Sequence, residues 1–230
     1  MIAVTFALPQ ESQDFRHALR HASATGPWLL GNIGLEEVLV VHTGVGPAAA
    51  AENIAAFLAV HRPRMLISTG FAGGLDPRLA TGDLLVAVNF SAPALLAPSR
   101  ALLAGDPRAH FGALTSQPHP AETVAEKAAL FTATAALAVD METASLAAAC
   151  TRARVPLLAV RAISDPARDP LPVPFAEWFD LAAQRPRPLA LVRYLARHPA
   201  HISPFTRFLR SLPPARRAFT DFVIRFIAAS

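Results

Sequence analysis

Ala138-Val139-Asp140-Met141-Glu142-Thr143-Ala144 and, about twenty residues on, Val160-Arg161-Ala162-Ile163-Ser164-Asp165 decide how this chain is read. Each stretch follows an apolar run of strand character and delivers a carboxylate just beyond it. Open α/β sheets bind ligands outside the carboxyl ends of their strands. Two acids brought there from neighbouring strands predict one site for a polar, hydroxyl-rich ligand. Glu11, just past the first apolar run at 2–8, holds an equivalent position. Any one of these acids is equally well explained as the favoured charge at a helix N-terminus. Three at equivalent strand ends predict convergence.

Outward from these stretches, strands are expected at 2–8, 38–41, 65–68, 84–88, 136–139 and 157–161. Helices are expected near 14–19, at 47–61, at 121–132 and at 143–152. Pro47 suits a first helical turn, and the Ala-rich body after it has high helix propensity. Residues 91–108, rich in Ala and Pro and without periodicity, read as a loop. Alternating strands and helices predict an α/β fold: three αβα layers around a mixed, twisted central sheet. Two glycine-rich turns follow strands, Gly44-Val45-Gly46 and Gly70-Phe71-Ala72-Gly73-Gly74. Neither fits the dinucleotide fingerprint or the P-loop, and the single lysine, Lys127, lies elsewhere.

The chain has 230 residues, 53% of them hydrophobic, and a mean hydropathy of +0.35. No uninterrupted apolar run reaches the roughly 18 residues of a membrane span. The N-terminus lacks a basic leader and reads as a strand, so a cytoplasmic protein is expected. The lone Cys150 forms no internal disulfide and fits no metal pattern; buried packing is its expected role. His42, His110 and His119 lack ligand spacing, so neither metal nor organic cofactor is expected.

Charge divides the chain into an expected catalytic domain, 1–184, and a helical tail, 185–230. The tail holds nine Arg against Asp221, a net +8, whereas 1–184 carries a net −4. The high pI therefore belongs to the tail, and nucleic-acid binding is not inferred. In the tail, Arg207, Arg210, Arg216 and Arg217 alternate with Phe205, Phe208, Leu209, Leu212, Phe219 and Phe222, and helices are expected to break at Pro199, Pro204 and Pro213-Pro214. Such a segment suits an anionic membrane surface, peripheral to the inner membrane. It equally suits a helix packed on the domain or on a second subunit.

These motifs in this order resemble the nucleoside phosphorylase/nucleosidase superfamily, over roughly residues 1–180. The markers are Thr43-Gly44-Val45-Gly46, Thr69-Gly70-Phe71-Ala72-Gly73-Gly74-Leu75, Gly82-Asp83-Leu84, Val139-Asp140-Met141-Glu142 and Arg161-Ala162-Ile163-Ser164-Asp165. Within it the chain is similar to the methylthioadenosine/S-adenosylhomocysteine nucleosidases. It is also similar to a hopanoid-associated phosphorylase branch linked to removing adenine from adenosylhopane, through Ala125-Glu126-Lys127-Ala128-Ala129-Leu130, Ile163-Ser164-Asp165-Pro166 and the Arg-rich tail.

The resemblance implies cleavage of the N-ribosidic bond of a purine nucleoside. Asp165 is implied as the acid that protonates the purine N7, beside Ser164, and Glu11 as the acid that activates water. Glu142 is implied to bind the ribose hydroxyls, with Met141 beneath the sugar. Val45, Phe71, Ala72, Gly73 and Phe175 are implied as walls of the pocket, and a homo-oligomer as the assembly. The base-stacking loop falls near 116–121, where Gln117-Pro118-His119-Pro120 departs from the family pattern. Phe71 stands where the phosphorylases carry a phosphate-binding serine, and Ser68 where purine phosphorylases carry an arginine. Those departures favour water as nucleophile over phosphate as co-substrate. Arg16 and Arg20 offer either another anion site or a solvated helix face. The chemistry asks for an acid because an adenine anion leaves poorly, and for negative charge beside an oxocarbenium-like transition state. A 5′-substituted adenosine, lipid-linked as in adenosylhopane, is the expected substrate. A soluble methylthioadenosine/S-adenosylhomocysteine nucleosidase and a non-catalytic nucleoside-binding module are the other readings.

Overall fold

A computed structural model describes residues 1–230. In chain order the elements are β1 (Ile2–Phe6), α1 (Gln13–Ala18), β2 (Arg20–Thr25), β3 (Trp28–Ile33), β4 (Glu36–His42), α2 (Pro47–Val60), β5 (Leu66–Ser68), β6 (Phe71–Gly74), β7 (Leu84–Ala87), α3 (Pro93–Leu102), β8 (Ala109–Gly112), β9 (Leu114–Ser116), α4 (Val124–Thr134), β10 (Ala138–Asp140), α5 (Thr143–Ala153), β11 (Leu157–Asp165), α6 (Phe175–Trp178), β12 (Phe179–Asp180), β13 (Arg185–Pro186), α7 (Pro188–Arg197) and α8 (Ile202–Ala228).

Eleven strands form one mixed sheet, in the order β2-β3-β4-β1-β5-β11-β6-β10-β9, with β7 joining β11 to β8. The fold is the three-layer α/β arrangement the alternating pattern implied. β11, buried along its whole length, is the spine. Its first residues pair in parallel with β5 and its last with β6, while β7 runs antiparallel on its other side. On one face lies the largest apolar cluster, where Phe15 of α1 and Phe219, Phe222 and Phe226 of α8 cover Ile2, Val4, Leu158 and Val160. On the other face α2 and α5 cover Ala3, Leu39 and Leu66.

Several details depart from the sequence reading, the first being that Phe71–Gly74, read as part of a turn, is strand β6, paired with β10 and β11. Residues 93–102 form α3, not a loop. Pro93 occupies its first turn, Pro98 is tolerated inside it, and Leu95, Leu96 and Leu102 pack on the main core. Residues 20–33 form the hairpin β2–β3, unread because β2 is exposed throughout and carries no alternation. Asp165 ends β11 rather than following it, after a register shift past Ile163, and β6 separates β11 from β10. The strands bearing Glu142 and Asp165 are therefore not neighbours. Finally, α8 runs through Pro204, Pro213 and Pro214 without a break. The prolines at 213 and 214 withdraw partners from the carbonyls of Leu209 and Arg210, both of them exposed residues.

Candidate active site

The strand ends and the first half of α8 enclose a cavity of about 730 Å³. Glu11, Val45, Phe71, Ala72, Gly73, Met141, Glu142, Ser164, Asp165 and Phe175, all ten residues expected from the sequence, line it. From the segment 116–121, Pro120 and Ala121 also line it. Trp178, Phe179, Gln184, Phe208, Leu209 and Leu212 are among the lining residues that were not foreseen. The spacing of α8 gave no sign that its first half turns toward the site.

Glu11 is fixed by the chain just past β1. Its Oε2 accepts the amides of Ala7 at 2.9 Å and Leu8 at 3.4 Å. Gly70 passes above it with φ +149°, and a Cβ there would meet Glu11 Oε2 at 3.2 Å. Both space and backbone conformation thus call for glycine. Burial pushes the Glu11 carboxyl up to about 7, against the two amides and the more distant Arg161.

Glu142 caps the start of α5 and reaches across to the β4–α2 turn, where its Oε1 accepts the Gly46 amide at 2.6 Å. Gly44 and Gly46, with φ of 76° and 87°, fold that turn. Gln184 brackets Val45 between them, accepting its amide and donating to its carbonyl, each at 2.8 Å. Burial first, and the neighbouring Asp140 second, push Glu142 up to about 8. Met141 packs with Val45 and Phe179 below the Phe175 and Trp178 rings.

Beneath the two glutamates lies a buried polar array that the sequence motifs did not reveal. Arg161 Nε donates to Asp140 Oδ2 at 3.0 Å, and its terminal nitrogens donate to Ser68 Oγ and the Ser68 carbonyl at 2.9 Å and to Thr143 Oγ1 at 2.6 Å. Asp140 also accepts from Ser116 Oγ at 2.5 Å. A second, narrow void of about 20 Å³ opens between this array and the glutamates, bordered by Thr5, Thr43, Ser68, Thr69, Glu11, Glu142 and Arg161. The Thr5 and Thr69 hydroxyls have no protein partner.

Asp165 lines the same cavity from the end of β11. Ser164 Oγ donates to its Oδ1 at 2.5 Å, and Lys127 Nζ to its Oδ2 at 2.6 Å. Burial drives this carboxyl upward, opposed by Lys127 and Ser164. Phe71 closes the floor with its ring edge-on to Phe219, centroids 5.6 Å apart.

A family model described as the phosphorylase superfamily matches residues 1–96 and 90–196. A 5′-methylthioadenosine/S-adenosylhomocysteine nucleosidase of Glaesserella parasuis is 29% identical over 189 residues, covering 70% of this chain and 82% of that protein. One of Tolumonas auensis is 26% identical, covering 67% and 79%. Among solved structures, the nucleosidase of Streptococcus pneumoniae with the transition-state inhibitor MT-ImmA superposes with a TM-score of 0.75 at 22% identity, covering 98% of this chain and 97% of that one. That of Colwellia psychrerythraea in complex with adenine gives 0.74 at 20% identity, covering 99% and 94%. The matched residues span most of the chain and include every strand end that lines the cavity: the chain belongs to the phosphorylase superfamily, and it is an enzyme that cleaves an N-glycosidic bond.

Proposed function

We propose that the protein hydrolyses the N-ribosidic bond of a 5′-substituted adenosine and releases adenine. The observation that carries this reading is the convergence of Glu11, Glu142 and Asp165 on one cavity whose other walls are largely apolar. Glu142 accepts the ribose hydroxyls, and Met141 supports the sugar. Asp165 gives its proton to the purine N7 as the bond to the ribose lengthens, so the base departs neutral. Positive charge developing on the sugar favours ionisation of the Glu11 and Glu142 carboxyls beside it, and their ionised forms stabilise it in turn. Glu11, with its carboxyl poised at about 7, takes the proton of the attacking water. The steps use only acids, hydroxyls and water, so no metal or organic cofactor has a part in them.

Water is favoured over phosphate as the nucleophile. The polar void beside the glutamates has room for a water, not for a phosphate. The guanidinium that borders it, Arg161, is already taken up by Asp140, Ser68 and Thr143. Phe71 fills the place of a phosphate-binding serine.

An apolar 5′ substituent fits the outer cavity, where Leu171, Phe175, Trp178, Phe208, Leu209 and Leu212 gather. The charged group at that end, Arg216, is paired with Asp14 at 2.8 Å and is not offered to an amino-acid arm. This favours methylthioadenosine, or a long hydrocarbon such as that of adenosylhopane, over S-adenosylhomocysteine. Homo-oligomerisation and a cytoplasmic place at the inner membrane surface belong to the same proposal.

The experiment is adenine release from methylthioadenosine, S-adenosylhomocysteine and an adenosine carrying a long 5′-alkyl chain, with and without phosphate. Free ribose products without phosphate, and a higher kcat/KM for the apolar 5′ groups, are expected. Release only with phosphate makes the enzyme a phosphorylase. Binding of nucleosides with no release from any of them restores the non-catalytic reading.

A further inference from the structure

Lys127 is the only lysine of the chain, and it is fully buried. Besides Asp165 Oδ2 at 2.6 Å, its ammonium donates to the carbonyls of Pro166 at 2.9 Å and Asp169 at 2.6 Å. α4 delivers it there. A capping box, Thr123 with Glu126, sets the first turn and so the direction in which residue 127 points. The carboxyl of Asp165 is thus gripped at both ends, by Lys127 on Oδ2 and Ser164 on Oδ1. Gly73 lies against the same oxygen as Lys127, where a Cβ would come within 3.2 Å. The charged groups acting on this carboxyl are Lys127 from α4 and, more weakly, Asp169 from the loop after β11.

We propose that Lys127 is a positioning residue for proton donation: it aims Asp165 at the base and stabilises the carboxylate left when the proton has gone. The inference rests on the nucleosidase reading and adds a residue to it. In the step, the Asp165 O–H bond breaks and an N–H bond forms on the purine. The electron pair of the N-ribosidic bond stays with the base, and Lys127 keeps its three protons. An ammonium behind a buried acid favours the ionised form and so strengthens the acid. Without it, Asp165 holds its proton to higher pH and gives it up less readily.

Lys127→Met and Lys127→Gln test this. Catalysis needs Asp165 protonated, so the alkaline limb of kcat/KM reports its titration. Both variants are expected to move that limb up by about one pH unit or more, with kcat down about tenfold and KM little changed. Lys127→Arg, which keeps the charge, is expected to hold the limb near its wild-type place. Titration of the Asp165 carboxyl carbon by NMR, assigned with Asp165→Asn, reads the same midpoint without turnover. If Lys127→Met does not fold, Lys127→Gln carries the comparison. Lower activity with an unmoved limb and an unmoved NMR midpoint makes Lys127 a mere tie for the 166–169 loop and overturns the proposal. A wild-type enzyme that releases no purine defeats the nucleosidase reading instead, and the NMR midpoint still decides the role of the lysine.

Discussion

Glu11 and Asp165 are both pushed toward neutrality by burial, yet the chemistry asks opposite things of them. Asp165 must hold a proton and Glu11 must accept one. Replacement of Asp165 by Asn removes the donated proton with little change of shape, and turnover is expected to fall about 10²–10⁴-fold in an adenine-release assay. Glu11 also leaves a mark on stability. Its carboxyl titrates near 4.5 when free and near 7 when folded, so the folded state holds the extra proton between those values. Stability from this group is therefore fully present below about 4.5 and is lost as pH rises through about 7. Glu11→Gln removes the charged form, keeps an acceptor for the Ala7 and Leu8 amides, and should gain about 3 kcal/mol at pH 8 and much less at pH 5. Denaturant unfolding at the two pH values checks it; an equal gain at both would mean that ionisation is not the cause. The same residues show what could be read beforehand. Glu11, Glu142 and Asp165 were legible because each stands at the end of an apolar run. Lys127 was not, since it lies 38 positions before Asp165 and only the packing of α4 joins them. The Asp140–Arg161 pair was equally hidden, because it depends on the order of strands β11, β6 and β10.

Among the elements, α8 has two characters. From Ala215 to Ile227 it is sunk into the main core; before that, from Ile202 to Pro214, none of its residues is buried. Its second half is a structural part of the αβα layers, while its first half walls the cavity. Truncating Phe222, which is 1% exposed and tilted against Phe226, should cost about 3–5 kcal/mol as Phe222→Ala in denaturant unfolding. A loss below about 1 kcal/mol would show that the helix does not depend on this packing. Strands buried on both faces announced themselves as apolar runs, which is why β1, β4, β5, β7 and β11 were legible. The exposed hairpin β2–β3 and the proline-bearing α3 were not, because neither shows the period that marks burial on one face. The prolines of α8 misled for a related reason: a proline breaks a helix only where its lost hydrogen bond has no substitute, and here the carbonyls that lose their partners belong to exposed residues.

At the scale of the whole molecule, charge and apolar exposure coincide along residues 185–210. No acidic residue occurs between Asp180 and Asp221, whereas Arg185, Arg187, Arg193, Arg197, Arg207 and Arg210 do. On the same segment Leu189, Val192, Ile202 and Leu209 stand exposed, and α7 buries none of its residues. No helix is long and apolar enough to cross a membrane. Arginines around exposed aliphatic side chains are the chemistry of a helix lying on an anionic bilayer, with about 1 kcal/mol from each basic residue near the surface. Leu209 belongs both to this patch and to the cavity wall, which links the proposed membrane surface to the proposed apolar 5′ pocket. Vesicles of phosphatidylglycerol should therefore sediment the full chain at low salt, and vesicles of phosphatidylcholine should not. Arg193→Glu with Arg197→Glu should weaken the binding at least tenfold, and Leu189→Glu with Val192→Glu should do the same without altering the hydrolysis of a soluble nucleoside. Equal sedimentation of these variants and the wild type would place the contact elsewhere on the molecule. A stable dimer that leaves the wild type unable to bind either vesicle would assign α7 to a second copy of the chain.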